Sequence, residues 1–401
     1  MKRLMASFEH ITDTRGSKGK RHKLSHILVM VVCGVLHGYL DFEDIHDYVK
    51  ANKEWFERRL DLWDGIPCAR TMDNIVQLIP PKEFLAVFID WVNGVLDEKT
   101  GQIILDGKAL RAATDKAHNG KTPYILNTYL AEAGITLGQV KVGEKSNEIT
   151  AIPELLSLLS LDGFVITIDA IGTQAKIMDQ IKKGGGEFVL PIKANQRGAY
   201  AEAVDYFALF ADKVREIAAS NKLPSYRTTF NEGEGAIDVF IEREKAHGRK
   251  TERIYVKTSN VEWLGGAKFK HVQSLVMVIC NTTVNDSGIR YYAASSDFPV
   301  EQTAKYIRNH WQVENNLHWQ LDMYFGEDRS RENSKHGLEN LSLIRKLALN
   351  IIKLDTRHDR LNKNGNLVRL STKRKINRYN LYGHEFDELI DDFLPSLVKE
   401  K

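Results

Sequence analysis

Between residues 101 and 192 the sequence switches from helical spacing to short apolar runs that alternate with helical stretches, and this alternation limits the folds available. Gly101 to Asp106 reads as a strand. Tyr124 to Ala133 and Thr136 to Val142 read as two more, parted by Gly134-Ile135. Glu148 to Leu159 reads as a helix, Phe164 to Asp169 as a strand and Thr173 to Lys183 as a helix stopped by Gly184-Gly185-Gly186. Glu187 to Ile192 is again a strand. The order strand, strand, strand, helix, strand, helix, strand predicts a mixed α/β sheet with helices packed on it.

The flanks read differently. Residues 1–98 are mostly helical. Leu24, Ile27, Leu28, Val31, Val32 and Val35 keep three-and-four spacing, and Lys82 to Leu96 forms a later helix. Residues 201–288 begin helical and turn β-rich, too long for a simple connection, and are read as an inserted subdomain. Residues 289–355 carry a strand at Ile289 to Ser295, a long helix from Val300 to about Asp322, and another at Leu338 to Leu354. Residues 356–401 are basic, then acidic. The 99–200 and 289–355 stretches thus form a core split by the insertion.

Bulk properties exclude several classes. The net charge of +3 on 401 residues is too small to argue for nucleic acid by itself, so local clusters must carry that case. Cys33, Cys68 and Cys280 lack metal or disulfide spacing, which fits a reducing cytoplasm. Ile27 to Leu36 is about half a membrane span, and the N-terminus has no signal-peptide centre. The expectation is a soluble intracellular protein without a membrane partner.

Three acidic residues break the apolar pattern. Asp106 ends Ile103-Ile104-Leu105, Asp169 ends Phe164-Val165-Ile166-Thr167-Ile168, and Glu314 falls on the helical wheel beside Ile307, Trp311, Leu321 and Phe325. Each alone has a plain explanation: a turn or cap for the aspartates, a buried ion pair or a bond to His310 or His318 for the glutamate. Together they outline one site, because buried carboxylates need compensating charge and α/β sheets build sites at strand C-terminal ends. Three oxygen donors suit Mg²⁺, or Mn²⁺ in its place. Two such ions can run phosphoryl transfer without a nucleophilic Ser or Cys. Rival sites are weaker. His310, Glu314 and His318 lack the HExxH spacing, and Gly184-Gly185-Gly186 lacks the Lys-Ser/Thr of a phosphate loop. A glycosidase pair at Asp106 and Asp169 leaves Glu314 without a role.

At this point a resemblance emerges. Ile104-Leu105-Asp106-Gly107-Lys108, Lys145-Ser146-Asn147-Glu148-Ile149-Thr150, Val165-Ile166-Thr167-Ile168-Asp169-Ala170, Lys193-Ala194-Asn195-Gln196 and His247-Gly248-Arg249 occur in order. So do His310-Trp311-Gln312-Val313-Glu314-Asn315-Asn316-Leu317-His318-Trp319 and Gly326-Glu327-Asp328-Arg329-Ser330-Arg331. From about residue 8 to 355 the chain resembles the ISAs-type, H-repeat-associated branch of the insertion-sequence DDE transposases. The resemblance implies a ribonuclease-H-like core with Asp106, Asp169 and Glu314 as catalytic metal ligands. It implies a DNA transposase that cuts at terminal inverted repeats and transfers strands into target DNA, as a dimer on paired ends. A non-catalytic DNA-binding remnant and a stand-alone metal-dependent nuclease are the alternatives. Related transposases carry Tyr, Arg and Lys around the Glu; here those positions hold Ile307, His310 and Leu321, with Arg308, His318 or Arg329 available as replacements.

Phosphate-contact candidates are the arm Lys18, Lys20, Arg21 and Lys23, the segment from Arg329 through Arg331 to Lys335, and the segment from Lys373, Arg374 and Lys375 to Arg378. Lys108, Lys193, Asn195 and Gln196 lie beside strand ends, where they either orient DNA or hold the fold together. Trp319 is read as a base-stacking candidate.

Overall fold

A computed structural model describes residues 2–16, 20–96, 100–114, 122–143, 148–232, 235–246, 249–264, 269–282, 288–332, 334 and 336–397. Lys18, Lys145 to Asn147, His247-Gly248 and Lys335 lie outside them. Among the described residues the strands are β1 (Gly101–Ala109), β2 (Tyr124–Leu130), β3 (Ile135–Val142), β4 (Phe164–Ile168), β5 (Glu187–Ile192), β6 (Ser225–Glu232), β7 (Gly235–Ala246), β8 (Arg249–Thr258), β9 (Ser274–Thr282), β10 (Ile289–Ala294), β11 (Arg360–Leu361) and β12 (Leu367–Val368). The architecture is mixed α/β with a large mixed sheet. The chain divides into two compact units, one of residues 1–98, 107–145 and 314–401, the other of residues 99–106 and 146–313.

The second unit contains the strands that carry two of the three acidic positions. Its strand order is β1-β4-β5-β10-β9-β8-β7-β6. β1, β4 and β5 run parallel; from β5 through β10 to β6 every pairing is antiparallel. The β-rich stretch after residue 225 therefore continues the sheet edgewise through β10. β4 is buried at all five positions, as a parallel strand covered on both faces should be. The helix Val300–Asn309 lays Val300, Ala304, Tyr306 and Ile307 against Val165, Val189, Tyr255 and Val276.

The first unit is mainly helical. Leu24–Leu36 is buried along its whole length, which explains why its apolar run has no polar face. Burial pushes the Cys33 thiol in it up to about 12, so that sulfur is inert. Asp41 caps the helix Phe42–Ala51 through Asp44 N (2.9 Å). The helix Gly337–Leu354 is buried over most of its surface; its Asn340 donates to the carbonyls of Val76 and Ile79. No helix among the described residues is long and apolar enough to cross a membrane.

One expected element differs. Val300 to Asp322 is not a continuous helix: an α-helix ends at Asn309, a π-helical turn spans Glu314–His318, and α-helix resumes at Trp319–Phe325.

Candidate active site

Asp106 and Asp169 stand next to each other in the second unit. β1 and β4 are parallel and in register, with Leu105 opposite Ile168, and the residue that follows each is an aspartate, Asp106 within β1 and Asp169 just past the end of β4. Adjacent strands lie about 4.8 Å apart. Asp106 is half-buried within a strand that runs on to Ala109, so it is no turn residue. Gly107 follows because the Tyr124 ring lies where a side chain would be; an added Cβ would meet it at 2.1 Å. Asp169 starts the short 3₁₀ turn Ala170–Gly172, and its Oδ1 accepts from Ala170 N at 2.7 Å.

A second contact gives Asp169 its electrostatics. Lys193 Nζ donates to the same Oδ1 at 2.9 Å. Burial by itself would raise the Asp169 carboxyl; the Lys193 ammonium and the Ala170 N–H outweigh it and hold the group below the usual carboxylate range. The turn that carries Asp169 is pinned from the same segment. Gln196 Nε2 donates to the carbonyls of Ala170 and Thr173, and Asn195 Nδ2 to that of Ala170. Asn195 and Gln196 therefore hold the fold of the site.

His310 lies against the same strand. Its Nδ1 is 3.1 Å from Thr167 Oγ1, which also accepts from Gln102 Nε2; Gln102 Nε2 donates in turn to the Tyr306 carbonyl. Burial drives the His310 imidazole down to about 4, against the pull of Asp169, so the ring is neutral at pH 7. Arg308 is committed elsewhere, with Nη1 2.5 Å from Glu242 and Nη2 2.7 Å from Glu244.

Glu314, in the first unit, opens the π-helical turn and is exposed, as is Asp169; Trp311 is exposed as well. The expected placement of Glu314 on an apolar face is thus corrected. The break at His310–Trp311 and the wider π turn shift the angular phase, so Val313 and Leu317 point inward while Glu314 and Trp319 face solvent.

Lys108, also in the first unit, is buried. It pairs with Asp322 and with Glu327 Oε2 at 3.1 Å, and donates to the His318 carbonyl at 3.3 Å. Glu327 is 1% exposed and also meets Lys346 at 3.4 Å and Ser342 Oγ at 2.7 Å. Burial opposes ionisation of Glu327, but Lys346 and Lys108 hold its carboxyl far below the usual range. Of the two readings of Lys108, the structure supports the one in which it holds the fold, and its partners Asp322 and Glu327 carry no mark of this pairing in the sequence. Of the remaining cations, Lys375 is buried against the carbonyls of Ile352 and Asp355. Lys20, Arg21, Lys23, Arg329, Arg331, Lys373 and Arg374 are exposed, as is Trp319.

Among the described residues, no three His, Cys, Asp or Glu side chains are grouped to hold a metal ion. Asp106 and Asp169 do offer paired hard oxygen donors of the kind Mg²⁺ takes, and Asp169 already holds a cation, the Lys193 ammonium. The donor chemistry of these two aspartates fits a divalent ion.

Comparison with known proteins gives a consistent result. Residues 97–351 match the family model described as Transposase DDE domain, and residues 5–92 match the model described as DDE_Tnp_1-associated. "H repeat-associated putative transposase YhhI" of Escherichia coli (strain K12) is 33% identical over 365 residues, 88% of this chain and 91% of that protein. "Putative transposase YncI" of Escherichia coli O157:H7 is 35% identical over 353 residues, 86% of this chain and 85% of that protein. A solved structure described as the piggyBac transposase synaptic complex with hairpin DNA aligns over 100% of this chain and 83% of that one, at 10% identity and a TM-score of 0.41, a likeness too distant to carry an argument.

Proposed function

The chain belongs to the transposase DDE domain family, and on that premise we propose that it cuts DNA at the ends of an insertion sequence and joins the freed 3′ ends to target DNA. The observation that carries this reading is the parallel register of β1 on β4, Leu105 opposite Ile168, with an aspartate following each, Asp106 and Asp169. Within the second unit the order β1-β4-β5, all three strands parallel, supports a ribonuclease-H-like core.

Asp106, Asp169 and Glu314 are the proposed ligands, with Glu314 completing the set. Its support is chain connectivity: Glu314 follows four residues after His310, and His310 is anchored to Thr167, two residues before Asp169. Magnesium, as a pair of ions, would supply charge neutralisation at the scissile phosphate and activation of the attacking oxygen. The chain's own residues do the rest. Lys193 keeps Asp169 ionised and its exposed ammonium is positioned to meet a phosphate oxygen. Neutral His310 and Thr167 hold the C-terminal end of the helix Val300–Asn309 against β4 without adding charge beside the carboxylates. Asn195 and Gln196 brace the Asp169 turn.

The helical N-terminal region is the proposed reader of the element's ends, and a dimer would bridge two of them. Lys20, Arg21, Lys23, Arg329, Arg331, Lys373 and Arg374 are exposed and available for phosphates. Trp319, 49% exposed, is available for stacking. Incubating the protein with element-end duplexes, target DNA and Mg²⁺ tests the reading. Joined product supports it; cutting without joining indicates a nuclease, and binding alone a DNA-binding remnant.

A further inference from the structure

The fold contains a feature outside this machinery. β11 and β12 form a two-stranded ribbon, with Arg360 opposite Val368 and Leu361 opposite Leu367. It follows residue 351, where the family match ends. Every residue from 360 to 369 is exposed. Leu361 is 68% exposed and Leu367 54%, and as a directly opposed pair they share one face of the ribbon. An isolated hairpin with bare apolar side chains has little reason to be ordered in water unless something holds it.

Its shape is built in. Asn362 Oδ1 accepts from Asn364 N at 2.9 Å and Asn366 N at 3.0 Å, Asn362 N donates to the Asn366 carbonyl, and Gly365 takes a φ of +75° that other residues resist. The base is clamped. Arg357 Nε is 2.8 Å from buried Asp355, Tyr379 donates to Asp355 at 2.7 Å, and Arg369 lies 3.5 Å from Asp359. The turn chemistry and anchored base supply order; the exposed leucines remain to be covered.

Charge selects what covers them. From residue 360 to 374 there are five basic residues, Arg360, Lys363, Arg369, Lys373 and Arg374, and no acidic one. The whole chain is only +3, so without this stretch it would be slightly acidic. A second copy adding strand to strand would bring like charges together, whereas a polyanion would be attracted. A two-stranded ribbon also fits the major groove of B-form DNA, where apolar side chains meet thymine methyl groups.

We propose that the ribbon Arg360–Val368 is a DNA-binding arm that enters the major groove, with Arg360 and Lys363 on phosphates and Leu361 and Leu367 against base edges. This rests on the transposase reading for its partner, and it adds a contact surface that the active-site residues do not supply.

The test uses the full-length protein and a fluorescent duplex of about 30 base pairs, titrated by anisotropy across a range of KCl. Each phosphate contact contributes about 0.9 to the slope of log affinity against log salt. Arg360→Gln and Lys363→Gln combined should weaken binding at least about fivefold and reduce that slope by about two. Leu361→Ser with Leu367→Ser should weaken binding and leave the slope in place. All substituted positions are exposed, and a melting curve checks that each variant stays folded. Unchanged affinity and slope in the Arg360→Gln, Lys363→Gln variant overturn the arm, as does a loss of self-association in sedimentation with DNA binding intact. Metal-dependent cutting by the wild type then shows that the broader reading survives; a wild type that binds no duplex overturns both.

Discussion

Lys193 donates to Asp169 Oδ1 across 2.9 Å while the two side chains remain 57% and 59% exposed. Such an exposed pair adds little to stability, within about 0.5 kcal/mol, yet it sets the protonation of a proposed metal ligand. In Lys193→Met the Asp169 carboxyl should rise, because burial then acts with less opposition. The acid limb of the cleavage pH profile should move to higher pH while the melting temperature hardly changes. An unmoved limb contradicts the assignment.

Glu327 presents the opposite case, a carboxylate with no access to water. Glu327→Leu leaves Lys108 and Lys346 buried with one fewer counter-charge, and should cost about 3–5 kcal/mol in urea unfolding. Adding Lys346→Met should recover part of that loss. Strict additivity of the two substitutions would show that the residues do not act as one network.

Arg308 separates a fold role from a DNA role. Its guanidinium bridges Glu242 and Glu244, so Arg308→Ala should destabilise by about 1–2 kcal/mol and leave the salt dependence of DNA binding unchanged. A slope reduced by about one would instead place Arg308 on a phosphate.

His318 predicts a pH dependence of stability. Burial, helped by Lys108, lowers its imidazole to about 4 from an ordinary 6.5. The folded state therefore resists protonation that the unfolded chain accepts. The associated stability is present above pH 6.5 and is lost as pH falls towards 4, at most about 3 kcal/mol for a shift of this size. Denaturant unfolding of His318→Asn should show a flatter decline over that window than the wild type; an identical decline would place the titration elsewhere.

The legible parts of this protein were those written in local pattern. Asp106 and Asp169 each close an apolar run, and runs of that kind become neighbouring parallel strands, so their pairing could be anticipated. The environment of Glu314 could not, because a π-helical turn leaves no mark in a wheel drawn at one angle per residue. The role of Lys108 was hidden because Asp322 and Glu327 lie more than two hundred positions along the chain. Lys375 reads as one more surface cation beside Lys373 and Arg374, but helical rotation turns it inward. The ribbon at 360–368 escaped because its strands are two residues each, too short for any alternation to register.

The most direct test of the account compares Asp106→Asn, Asp169→Asn and Glu314→Gln with the wild type in Mg²⁺-dependent strand transfer on element-end DNA. Each variant should bind the duplex with wild-type affinity and lose joining by at least about a thousandfold. Wild-type joining in any one of them would contradict a shared three-carboxylate site.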